Sequence, residues 1–192
     1  MALSPHALTT VAAVRQQLVG RETIPVEHEP LLEDLINATS EAVERYCGVH
    51  FERRSWTERL EGHPGPRLYL RHYPVRAVAS VTVDGTLVTD WVLVPSPLYP
   101  AAYEPVLVRH AGWQTAAQYG IEVVYEAGFV LPGEPGRDLP YDLQQAATEL
   151  VVAAYLRRDK SGVRSESFEG FSAQFELWPL HVRQVLDRYR RY

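Results

Sequence analysis

Cysteine and lysine are the scarcest chemistry-bearing residues of this 192-residue chain, with one of each. Cys47 alone can close no intrachain disulfide and no thiolate metal cluster within one copy, which fits a reducing compartment. Lys160 is the only lysine among 19 basic residues. Positive charge is therefore carried by arginine, whose planar fork favours bidentate ion pairs. Arginine-mediated subunit contacts and codon usage in a GC-rich genome account for this equally. A basic excess is also lacking: the formal net charge of -5 argues against gripping DNA through its phosphates and leaves only passive contact. No apolar run approaches the ~20 residues that span a bilayer, so no membrane partner is expected. The N-terminus MALSPHALTTVAAVRQQLVG has no basic start leading into an apolar run and a small-residue cleavage site, so a soluble, unprocessed protein is expected.

Catalytic patterns are missing too. There is no G-x-S-x-G elbow, no phosphate-cradling G-x-x-x-x-G-K-[ST], no H-E-x-x-H and no dinucleotide G-x-G-x-x-G. The seven histidines (His6, His28, His50, His63, His72, His110 and His181) never stand three or four residues apart, as a helical metal pair requires. Cys47 falls at a predicted helix C-terminus, where the dipole opposes a thiolate, so it reads as a small buried hydrophobe. Carboxylate pairs such as Glu33 with Asp34 or Asp138 with Asp142 read as helix N-terminal or surface acids. No enzyme, no metal and no cofactor is expected.

What is present is a chain with 46% hydrophobic residues, enough for one domain with a sizeable core or a core domain carrying an insertion. Val11, Val14 and Leu18 share a face of a first helix capped by Thr9 or Thr10 and stopped by Gly20. A stronger helix is predicted over Glu29 to Cys47, with Leu32, Leu35, Ile36, Thr39, Val43 and Tyr46 as its apolar stripe and Gly48 as its stop. Its opposite face carries Glu33, Asp34, Glu41 and Glu44, read as a solvated acidic face.

After Gly48 the period shifts to two in FERRSWTERL, RLYL, AVASVTV, WVLV, VLVRH and IEVVYEAG, which predicts a small antiparallel sheet or barrel. Asp84-Gly85 is the strongest hairpin signal, because both residues take positive φ at low cost. A third helix over Tyr141 to Arg157 has so broad an apolar face that it should be the central one. The stretch RRDKSGVRSESFEG has neither period and predicts a mobile loop that orders against a partner. A last amphipathic helix begins after Pro179, with Arg183, Arg188, Arg190 and Arg191 near Tyr189 and Tyr192. Those residues suit an interface, and they equally suit a helix end whose positive charge complements the dipole. The fold class is α+β, a bundle of about four helices formed by residues 1–50 and 138–192, with an antiparallel β-rich region inserted over 51–137.

The order of these elements carries a resemblance. AVERYCGVHFERRSWTERLEG, RLYLRHYPVRAVASVTVDG, IEVVYEAGF and LPYDLQQAATELVVAAYLRR follow one another as in the head-tail connector (adaptor) proteins of tailed double-stranded DNA phages. The version with a β-rich insertion, found also in gene transfer agents, is the one resembled. The likeness covers about residues 28 to 160 and rests on order and spacing. It implies a homo-oligomeric, typically twelve-fold ring under the portal that extends the DNA channel and joins capsid to tail in the virion neck, assembled in the host cytoplasm. Portal protein and a tail-completion or stopper protein are the implied partners. By position, Arg183, Arg188, Tyr189, Arg190, Arg191 and Tyr192 become portal-contact candidates. Asp159, Lys160, Arg164, Glu166, Phe168 and Phe171 become inter-subunit or tail-contact candidates, and the acidic helix face is expected to line or flank the channel. The helices are expected to form the ring and the portal contact, and the β section to project from it. The competing expectations are a monomeric β-domain binding module and an enzyme of unrecognised class.

Overall fold

A computed structural model describes residues 2–19, 24–95, 105–158 and 178–190. The chain divides into two compact units, Met1–Phe51 with Val130–Tyr192, and Glu52–Phe129.

The first unit is helical. Helix α1 (Val11–Leu18) starts where the Thr10 side chain accepts from the Ala13 N–H at 3.2 Å, and it buries Val14 and Leu18. Helix α2 (Glu29–Cys47) follows a single 3-10 turn, Val26–His28, and has Pro30 in its first turn, where the missing N–H costs nothing. It stops at Gly48, whose φ of 69° lets the N–H turn back to the Glu44 carbonyl. Helix α3 (Tyr141–Arg157) is buried around most of its circumference by Leu143, Ala146, Ala147, Leu150, Val151, Val152 and Tyr155. Helix α4 (Leu180–Leu186) tightens at once into a 3-10 turn, Asp187–Tyr189, and the backbone is extended at Arg190. The last helix is thus shorter than its periodicity predicts, because the tightened turn swings Tyr189 inward to 3% exposure.

The core of this unit joins Val14, Leu18, Leu32, Ile36, Val151, Val152 and Tyr155 with Ala7 from the N-terminal arm. That arm has no periodic signal, yet Leu8 and Thr9 are fully buried. Polar side chains hold it down. Asn37 Oδ1 accepts from the Ser4 N–H at 2.8 Å, Ser40 Oγ accepts from the Leu8 N–H at 3.0 Å, and the Thr9 and Thr148 hydroxyls meet at 2.7 Å.

The second unit holds two antiparallel sheets, β1-β7-β3-β4 and β2-β6-β5. The strands are β1 (Arg54–Leu60), β2 (Arg67–Tyr69), β3 (Val75–Val83), β4 (Thr86–Leu87), β5 (Val92–Pro95), β6 (Pro105–Val108) and β7 (Ile121–Ala127). Strand β7 is central in its sheet and alternates buried and half-buried residues, as a strand with one face on the core should. Asp84 and Gly85 make the β3–β4 turn at φ 48° and 78°. The run after that turn divides, with β4 in one sheet and β5 in the other. Leu68, Val81, Leu107, Trp113, Ile121, Val123 and Tyr125 form the core, and the Trp113 Nε1–H donates to the Pro66 carbonyl at 2.9 Å.

Candidate interaction surfaces

The carboxyl-terminal turn is where the sequence gathers arginine and tyrosine, and among the described residues Arg188, Tyr189 and Arg190 each have a contact inside the helical unit. Tyr46 Oη donates to Asp187 Oδ1 at 2.6 Å, and Cys47 Sγ reaches the Leu186 carbonyl at 3.7 Å. Tyr189 Oη donates to Asp142 Oδ1 at 2.6 Å, and its ring meets Phe51 edge-on with centroids 6.1 Å apart. Arg188 reaches the other Asp142 oxygen at 3.7 Å, and the Arg190 guanidinium lies 5.3 Å from the Tyr46 ring centroid. This turn therefore clasps the end of α2 to the start of α3.

Tyr189, a portal-contact candidate by position, is 3% exposed here with its hydroxyl on the Asp142 carboxylate. Arg188 and Arg190 are exposed and Arg183 is half-buried. Arg191 and Tyr192 lie outside the described residues, as do Asp159, Lys160, Arg164, Glu166, Phe168 and Phe171.

Of the acidic face of α2, Asp34 and Glu41 are exposed and Glu33 is half-buried. Glu41 pairs with Arg45 at 3.2 Å, one helical turn on. Glu44 does not belong to this face: it is 8% exposed. Its Oε1 accepts from the buried Phe51 N–H at 2.9 Å and its Oε2 lies 2.9 Å from His50 Nδ1. The carboxylate thus holds the chain that leaves α2, with its own backbone carbonyl taking the Gly48 and Val49 N–H groups. The buried stripe is Leu32, Ile36, Ser40, Val43, Glu44 and Cys47, with Leu35, Thr39 and Tyr46 only half-buried. Glu44 stands four residues after Ser40 and three before Cys47, so a stripe set slightly round the helix contains it. Spacing could have flagged this residue; its charge concealed it.

The titratable groups suit a structural part. Burial, and next the Asp187 carboxylate, push the Cys47 thiol up to about 12, so no thiolate forms at neutral pH. Burial and the hydrogen bond to Asp187 raise Tyr46 as well. In the β unit, burial and the bond to Glu58 raise Tyr125. Among the described residues no three His, Cys, Asp or Glu side chains converge to hold a metal ion. A depression of about 540 Å³ near the Asp84-Gly85 turn has its charges already committed. Asp84 accepts from the Ala116 and Ala117 N–H groups, and Arg59 pairs with Glu122 at 2.9 Å. No described helix is long and apolar enough to cross a membrane.

No curated protein matches the chain. Among solved structures it is similar to a chain from the neck of an empty GTA particle computed with C6 symmetry, at 22% identity and TM-score 0.62. A chain from the neck of a native GTA particle computed with C12 symmetry is similar at 22% identity and TM-score 0.60. One from the virion of a native gene transfer agent particle is similar at 23% identity and TM-score 0.63. Each alignment covers 100% of this chain and 93% of the other, and at such identity the likeness is one of fold. The family model described as head completion protein matches residues 7–192.

Proposed function

The chain belongs to the head completion protein family, a structural and non-catalytic role in joining head to tail, and from that premise we propose that it is a ring-forming neck subunit of a tailed double-stranded DNA phage or phage-like particle. Copies of it assemble under the portal, twelve to a ring, extend the DNA channel and present a platform to a tail-completion or stopper protein. The observation that carries this reading is the family match over almost the whole chain. The likeness of the same full length to neck chains, one set computed with C12 symmetry, adds to it.

Two features of the helical unit bear on the role of each residue. Asp34 and Glu41 put negative charge on the outer face of α2, where Glu41 holds the Arg45 guanidinium, and a channel wall of that balance grips phosphates weakly and lets DNA slide. Arg188 and Arg190 remain exposed beside the clasp, so the portal contact falls to them, to Arg183 and to the terminal Arg191 and Tyr192, with Tyr189 as their anchor in the core. The segment with Asp159, Lys160, Arg164, Glu166, Phe168 and Phe171 is the inter-subunit or tail-side contact.

The test is co-assembly of the purified full-length chain with its portal protein, followed by cryo-electron microscopy. A symmetric ring docked on the portal is expected. Arg190→Glu should weaken that docking at least tenfold while lowering Tm by only about 2–4 °C, the cost of its contact with the Tyr46 ring at an exposed site. Absence of any symmetric complex would overturn the reading.

A further inference from the structure

We draw no further inference here: the strongest candidate, the exposed apolar face of the β2-β6-β5 sheet carrying Tyr69, Val92 and Val94, is a surface for which nothing in the structure shows what covers it.

Discussion

Glu44→Ala is the substitution whose effect follows most directly from the structure. The carboxylate is 8% exposed and its Oε1 is the acceptor for the buried Phe51 N–H. Truncation leaves that donor without a partner, a cost of about 1–3 kcal/mol. It also removes a buried stem worth about 0.8 kcal/mol per methylene. The total is about 3 kcal/mol, and for a chain of this size each kcal/mol lowers Tm by about 2–4 °C. Glu44→Gln is the control. A carboxamide keeps a carbonyl for the Phe51 N–H and turns an amino group toward His50 Nδ1, so it should lose less than half as much. Calorimetry of both variants, with hydrogen exchange at the Phe51 amide, decides the matter: Glu44→Ala should fall by about 6–12 °C and lose Phe51 protection first. An Ala variant within 2 °C of wild type would show that the donor is satisfied otherwise. A Gln variant as damaged as the Ala variant would show that charge, and not the acceptor, is what the site requires.

The Cys47 thiol, pushed up to about 12 by burial, should resist maleimide at pH 8 in the folded chain and react at once in guanidinium. Because the folded value lies above the unfolded one, stability from this group is complete below about pH 9 and is lost as pH rises toward 12; Cys47→Ala should flatten that part of the Tm-against-pH curve. Gly128→Ala should destabilise the β unit by about 3 kcal/mol or more, read in urea titrations, because φ is +113° and a Cβ there meets the Glu52 carbonyl and Arg53 Cα. Asp84→Ala should cost about 1–2 kcal/mol and raise hydrogen exchange at Ala116 and Ala117, whose N–H groups its carboxylate accepts. Tyr189→Phe should cost about 2 kcal/mol in thermal unfolding, the loss of a hydrogen bond to a carboxylate, and an unchanged Tm would remove the clasp.

The elements with a local signature were legible. The 3.6 period and the closing Gly48 mark α2, the dense apolar face marks α3, and Asp84-Gly85 marks the hairpin, because each depends on residues within one or two turns of each other. Motif order carried the family resemblance for the same reason. Tertiary structure alone decided the rest. Whether Tyr189 faces a partner or Phe51 depends on Asp142, 47 residues away, and whether Glu44 faces water or a backbone donor depends on the path taken after Gly48. The N-terminal arm has no period because its hold comes from Asn37, Ser40 and Thr148, which the sequence does not mark as its partners. A side chain's type sets what it can bond. Only the packed chain sets which partner lies within the few ångströms over which that bond forms.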